Sequence, residues 1–175
     1  YAVAATVALG ALAVCHIVYA FILTAQNRSA RGANRYEVTA KPEKVEWASQ
    51  NMLVLGIIVL LGLALHLFNF WYNMMFAELV GMRTVLEPTD GFGLIRATFQ
   101  SKVYVILYVI WIVALWYHLS HGFWSAMQTI GINGKVWFNR WKVIGTVYVT
   151  LLMLAFLVVV LAFAFGCAPS LHCAA

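Results

Sequence analysis

The sequence predicts an all-α integral membrane protein, on the evidence of its apolar composition, its scarcity of charge and its long hydrophobic stretches. Of the 175 residues, 64% are hydrophobic and 10% are charged, and the mean hydropathy is +0.87. Soluble domains are typically about half apolar and about a quarter charged. A chain this apolar would expose more hydrophobic surface than a soluble monomer tolerates, so we expect it to lie in lipid.

Four stretches are long enough to cross the hydrocarbon layer, which takes about 20 apolar residues in a helix. The predicted spans are residues 1–25, 47–71, 102–124 and 143–165, and the third is expected to continue as helix to residue 130. Together they predict a single transmembrane domain. The segment Glu87–Gly91 has the composition of a turn. We expect a further helix upstream, because Tyr1 begins inside an apolar run without an initiator Met.

The distribution of Lys and Arg predicts the orientation of these spans, because basic residues concentrate in cytoplasmic loops. The first and third connections share one side and hold eight basic residues: Arg28, Arg31, Arg35, Lys41, Lys44, Lys135, Arg140 and Lys142. The opposite side holds three: Arg83, Arg96 and Lys102. We therefore expect the first and third connections in the cytoplasm and the C-terminus outside. The net charge of +5 does not indicate nucleic acid binding.

Four of the five histidines lie inside predicted spans, namely His16, His66, His118 and His121. An ionisable side chain in a membrane span is costly and suggests a function. A proton relay or an ion pathway would require charged side chains at a comparable depth, and the spans have no Asp, Glu, Lys or Arg there. Neutral imidazoles without acidic partners suit the iron of haem b, which is commonly held by axial histidine nitrogens.

The depths of the histidines predict two haem levels. At 1.5 Å per residue, His16 lies about 15 Å before Gln26 and His118 about 20 Å before the turn at Gly131. Since that turn is expected to lie beyond the bilayer edge, His16 and His118 can share a level nearer the cytoplasm. His66 comes 19 residues after Trp47 on an outward-going helix, and so lies nearer the outer face.

Small residues one helical turn from a histidine would give room to a porphyrin edge. His118 has Gly122 four residues later, and His66 has Gly62 four residues earlier. His121 lacks such a pattern, so we favour His118 as the axial ligand and assign His121 to a propionate hydrogen bond or to tuning of the site. The same small residues are also compatible with close helix packing alone.

Several segments resemble the cytochrome b membrane subunit of succinate dehydrogenase/fumarate reductase, in its bacterial single-anchor dihaem form. They are Cys-His-Ile-Val-Tyr-Ala (15–20), Trp-Ala-Ser-Gln-Asn-Met (47–52), Leu-His-Leu-Phe-Asn-Phe-Trp (65–71) and Trp-Tyr-His-Leu-Ser-His-Gly-Phe-Trp-Ser-Ala (116–126). The resemblance implies a five-helix bundle with two haems b. His16 and His118 would ligate the inner haem iron. His66 would ligate the outer haem iron, together with a residue on a first helix that is absent from this sequence.

The resemblance also implies partners and a location. These are a flavoprotein subunit, an iron–sulfur subunit, a membrane quinone (menaquinone is expected) and the bacterial cytoplasmic membrane. Whether the complex forms a higher oligomer stays open. The chain would be the electron-transfer subunit of the complex, because it has no dinucleotide fingerprint and no iron–sulfur cysteine set of its own.

Two differences from the family limit what can be transferred. Trp116 stands where some members carry a Glu linked to proton movement. The family's quinone-site Glu lies near the end of its first helix, which this sequence does not contain. A haem-free structural anchor and a small transporter remain alternative interpretations.

Overall fold

The structure, a computed structural model, describes residues 1–31, 46–132 and 134–166. In this part of the chain all regular secondary structure is helical. Four helices are long and apolar enough to cross a membrane: Ala2–Ala30, Met52–Val80, Lys102–Ile130 and Lys135–Ala164. They confirm the predicted class of all-α membrane protein. The fifth helix of the bundle stays a prediction.

The first helix, α1, forms a unit of its own and runs from Ala2 to Arg31. It continues past the predicted end at residue 25, because Gln26, Asn27 and Arg28 are polar without breaking a helix. The two threonine hydroxyls of α1 donate to carbonyl oxygens one turn earlier, Thr6 to Ala2 at 3.0 Å and Thr24 to Ala20 at 2.8 Å. Such internal bonds satisfy polar groups that lipid cannot.

The second span begins with a short helix, α2 (Trp47–Gln50), and breaks at Asn51, where φ is −109°. It continues as α3 (Met52–His66), a π-helical segment (Leu67–Phe76) and α4 (Ala77–Val80), and ends at Gly81 with φ 64°. The helical run thus extends nine residues beyond the predicted residue 71. The widened turns begin directly after His66.

A short helix that the sequence analysis did not predict follows the predicted turn at Glu87–Gly91, where the Asp90 amide donates a hydrogen bond to the Glu87 carbonyl oxygen at 2.8 Å. This helix, α5, runs from Gly91 to Phe99, and the Asp90 carboxylate caps it by accepting a hydrogen bond from the Gly93 amide at 2.8 Å. Phe99 is buried, and Phe92 packs edge to face on Phe163 at 5.2 Å between ring centroids. α5 is too short to span the membrane, and it packs against the end of the last helix.

The long helix α6 (Lys102–Ile130) is central in the second unit, which begins at Glu46. It packs on α3 and on α7 (Lys135–Ala164), and both pairs are antiparallel. The third span therefore reaches the predicted residue 130, whereas the fourth starts eight residues before the predicted 143. The buried core of this unit comprises Phe99, Tyr108, Ile112, Val149, Met153 and Val160.

The outer face of α7 carries exposed apolar side chains at helical spacing. Val147, Leu151, Leu154 and Val158 are each at least half exposed. Their recurrence every three or four residues places them on one stripe. In water such a stripe would favour association, whereas in a bilayer it faces lipid tails. The stripe therefore agrees with a membrane location.

Candidate haem ligands and an aromatic groove

His66 lies between α3 and α6, among aromatic rings. The centroid of its ring lies 5.1 Å from that of Phe70, 5.4 Å from that of Trp111 and 6.3 Å from that of Tyr108. Its Nδ1 is buried and has no hydrogen-bond partner within the described ranges. A buried nitrogen without a partner is costly. Axial coordination of haem iron would use the other ring nitrogen, Nε2, so the unpaired Nδ1 does not by itself indicate a metal.

Gly62, which we expected beside a porphyrin edge, makes room for Trp111 in this structure. A Cβ atom at Gly62 would lie 2.0 Å from Cδ1 of the indole. The indole nitrogen donates a hydrogen bond to the Val59 carbonyl oxygen at 3.0 Å. A haem edge would reach Gly62 only if this indole moved, so the role of Gly62 at a haem stays a prediction.

His118 lies on α6 opposite Gly56 of α3. A Cβ atom at Gly56 would lie 3.7 Å from Cε1 of His118, an ordinary contact. One turn later on the same face of α6, a Cβ atom at Gly122 would meet no atom of the described residues within 4 Å, so there is open space there. His118 therefore has the free space next to a small residue that a porphyrin edge requires.

The antiparallel register of α3 and α6 puts His66 and His118 at two levels of one helix interface. Gly56, opposite His118, precedes His66 by ten residues on the same helical run. At 1.5 Å per residue this is a separation of about 15 Å along the helix. His16 lies on α1, in the separate first unit, so its pairing with His118 stays a prediction.

A haem requires fewer protein donors than a metal ion held by the protein alone. Among the described residues no group of three or more His, Cys, Asp or Glu side chains could bind an ion directly. A haem brings four ring nitrogens of its own and needs only one or two axial side chains. His66 and His118 are two imidazoles at separate levels of one helix interface, and each could supply one axial ligand.

His121 does not share the surroundings of His118. Its Nδ1 lies 3.2 Å from Oε2 of Glu46, and its ring packs edge to face on Trp124 at 4.7 Å. Lys142 donates a hydrogen bond to the other carboxylate oxygen of Glu46 and lies 4.6 Å from the Trp124 ring centroid. The three polar groups form one cluster, which joins the start of α2 to α6 and α7.

The charges of this cluster hold Glu46 in its ionised form. Burial alone would raise the pKa of Glu46. Hydrogen bonds and charge attraction from Lys142 and His121 outweigh burial, so the pKa of this carboxyl lies below its ordinary value of 4.5. Glu46 lies outside the membrane-spanning segment that starts at Met52.

A groove of about 540 Å³ opens beside this cluster. Its walls are mainly aromatic and apolar, and they include the three residues of the cluster and three residues with hydroxyl groups, Tyr117, Ser120 and Thr146. The lining residues are Glu46, Trp47, Ala48, Trp116, Tyr117, Ser120, His121, Trp124, Lys142, Val143, Thr146 and Val147. The sequence analysis missed the groove, because Glu46, His121 and Lys142 are far apart along the chain and no local motif joins them.

Comparisons of the chain with protein-family models, with curated proteins and with solved structures found no match. Function is therefore inferred from the histidines, their helices and the sequence segments quoted above.

Proposed function

We propose that this chain is a haem b-binding membrane anchor of a succinate:quinone oxidoreductase. The observation that carries the proposal is the placement of His66 and His118 in one apolar helix interface, about 15 Å apart along the helix. His118 has open space one turn away at Gly122, and His66 would accept a haem once the Trp111 indole moves away from Gly62. The resemblance of four sequence segments to the cytochrome b subunit of this complex supplies the enzyme class.

Haem iron would give the chain one-electron chemistry, which none of its own side chains provides. His118 would hold the inner haem with His16, and His66 would hold the outer haem with a residue of the preceding helix. The protein would set the haem potential by histidine ligation and by burial in a medium of low dielectric. Trp111, Phe70 and Tyr108 would shield the His66 side from water.

The remaining parts of the proposal follow the resemblance. A flavoprotein would act on succinate or fumarate, and an iron–sulfur subunit would carry electrons to and from this chain. Membrane quinone, for which we propose menaquinone, would be the other electron carrier. The chain would lie in a bacterial cytoplasmic membrane, with the Lys135 end of α7 on the cytoplasmic side.

One observation favours a second candidate, a haem-free structural anchor. The indole of Trp111 fills the space over Gly62, and His66 packs on three aromatic rings. In that case His66 would serve helix packing alone. The open space beside Gly122 would admit a porphyrin edge one turn after His118, and it supports the haem proposal.

A dithionite-reduced minus oxidised spectrum, with haem counted per polypeptide, tests the proposal on the full-length protein in detergent. We expect two haems b in the wild type and about one in His118→Ala. His172→Ala is the matched control, because it removes a histidine from the tail after the last predicted span, and it should keep both haems. Wild-type protein without b-type bands would contradict the proposal and leave the structural anchor.

A further inference from the structure

Arg140, near the start of α7, carries a positive charge that no carboxylate of the described residues offsets. The ion pairs among these residues all involve Glu46, which pairs with Lys142 and His121. No Asp or Glu follows Asp90 in the sequence, so none lies on α6 or α7 themselves. The Arg140 side chain is exposed. Its charge is therefore free to pair with an anion from outside the chain.

A row of aromatic rings that begins on α6 holds Arg140 in place. The Phe123 ring of α6 lies 6.1 Å from the Trp141 ring, and the Trp141 indole nitrogen donates a hydrogen bond to the Ile132 carbonyl oxygen at 2.8 Å. Trp141 packs on Trp137, with 5.3 Å between ring centroids and 31° between the ring planes. The Arg140 guanidinium carbon lies 5.2 Å from the Trp137 centroid, within cation–π range. This contact restricts the guanidinium without using its N–H donors.

The exposed apolar stripe of α7 lies in line with Arg140. Val147, Leu151, Leu154 and Val158 follow Arg140 by 7, 11, 14 and 18 residues. At about 100° per residue, each of them lies within about 40° of Arg140 around the helix axis. Arg140 is therefore the charged end of a continuous apolar surface on one side of α7.

The dimensions of this surface match one leaflet of a bilayer. The rise from Val147 to Val158 is about 16 Å at 1.5 Å per residue. Half of the hydrocarbon layer is about 15 Å thick. Arg140 lies about 10 Å before Val147 by the same rise, which places the guanidinium at the level of the lipid head groups when the stripe contacts the acyl chains.

We propose that this side of α7 is a binding site for an anionic phospholipid, with the phosphate on Arg140 and the acyl chains along the stripe. The guanidinium donates paired hydrogen bonds to phosphate oxygens. The Trp137 ring, 48% exposed, lies beside it at the depth where tryptophan indoles meet lipid head groups. The inference goes beyond the proposed function and does not depend on haem binding.

The position of the charge selects this class of ligand. An amphipathic molecule is required, because the anion site and the apolar stripe share one side of the helix. The two other basic residues at this end of α7 do not offer the same site. Lys142 is engaged by Glu46. Lys135 precedes Arg140 by five residues and therefore lies about 140° away around the helix, off the stripe.

The test uses phosphatidylglycerol with a photoactivatable diazirine on one acyl chain, in phosphatidylcholine vesicles that hold the full-length protein. Phosphatidylcholine with the same labelled chain is the reference, because only the head group differs. We expect phosphatidylglycerol to label peptides of residues 147–158 about fivefold more strongly, the factor that one basic residue contributes near an anionic lipid. Equal labelling by the two lipids would overturn the proposal, since the stripe would then contact bulk lipid only.

Variants assign the preference to Arg140. Arg140→Gln should reduce labelling by phosphatidylglycerol to the level of phosphatidylcholine. Lys135→Gln is the matched control, because it removes an equal exposed charge from the same end of α7, and it should label as the wild type does. Equal losses in the two variants would overturn the site in favour of general attraction to a basic surface.

Two further results keep the proposal testable. If Arg140→Gln proves unstable, Arg140→Lys is the second variant. It keeps the charge but lacks the planar fork that stacks on Trp137 and pairs with phosphate, so its labelling should lie between those of the wild type and the phosphatidylcholine reference. Undiminished labelling in Arg140→Lys would contradict the stacked guanidinium as the site. Cross-links between α7 helices of two copies, without lipid label on residues 147–158, would overturn the proposal in favour of a dimer.

Discussion

The indole nitrogen of Trp111 donates a hydrogen bond to the carbonyl oxygen of Val59, 3.0 Å away on the facing helix. Helix carbonyls ordinarily bond only within their own helix, so this bond fixes α6 against α3 at one register. The bond forms because Gly62, less than one turn after Val59, leaves room for the indole. It also holds Trp111 against His66, at 5.4 Å between ring centroids.

Substitution of Gly62 by Ala should loosen this interface. The new Cβ would lie 2.0 Å from the indole, so the indole or α3 must shift. Overpacking of this kind costs about 1–3 kcal/mol. We expect a lower melting temperature in detergent. Gly10→Ala is the matched control, because a Cβ there meets no atom of the described residues within 4 Å. Equal melting temperatures for the two variants would contradict this account.

A second glycine, Gly145, lies where α7 packs closely on α6. A Cβ atom at Gly145 would lie 2.4 Å from Cδ1 of Phe123, so Gly145→Ala should also destabilise the protein, by about 1–3 kcal/mol. Phe123→Leu alone should cost less, since it leaves the helices at their separation. If the clash is the cause, the double variant should lose less stability than the sum of the single variants, as a double-mutant cycle of thermal unfolding would measure.

The Glu46 cluster predicts a pH dependence of stability. The pKa of Glu46 is below its ordinary value of 4.5 in the folded protein, so folding favours the ionised form. The resulting stabilisation is present above pH 4.5 and is lost as the pH falls through the lowered pKa. Glu46→Gln should remove this part of the pH dependence of the melting temperature, and Glu87→Gln is the control. Parallel curves of melting temperature against pH for wild type and Glu46→Gln would contradict this prediction.

The spans were predictable because a bilayer requires long apolar helices, and length and composition alone reveal them. The end of the second span was harder to predict. The predicted span ended at residue 71, yet Asn73 donates hydrogen bonds to the Phe68 and Asn69 carbonyls and the helix continues as wide turns. Side-chain bonds that satisfy polar residues inside a helix cannot be read from hydropathy.

The histidines were selected by sequence, but their surroundings depend on tertiary contacts. His118 lies opposite Gly56 of α3, and the ring that covers Gly62 belongs to Trp111 on another helix. Neither pairing follows from spacing along one helix. The cluster of Glu46, His121 and Lys142 likewise needs three segments that meet only in the fold.

The buried amide of Asn69 gives a last prediction, about the polar contact beside His66. Its Nδ2 donates to the Tyr108 hydroxyl at 3.4 Å, and both residues are buried. Tyr108→Phe should cost roughly 1 kcal/mol, the usual range for such bonds within membrane bundles, because the amide loses its partner. Asn69→Leu removes the donor instead and leaves the hydroxyl without its bond.

The double variant Asn69→Leu/Tyr108→Phe separates the stability lost with the hydrogen bond from the stability lost with side-chain packing. With both polar groups replaced by apolar ones, no buried donor or acceptor is left unpaired, so the double variant should be more stable than the sum of the two single losses predicts. The measurement is the free energy of unfolding in mixed detergent micelles for all four proteins. Strictly additive losses would mean that the 3.4 Å contact contributes nothing and that Asn69 is held by its packing alone.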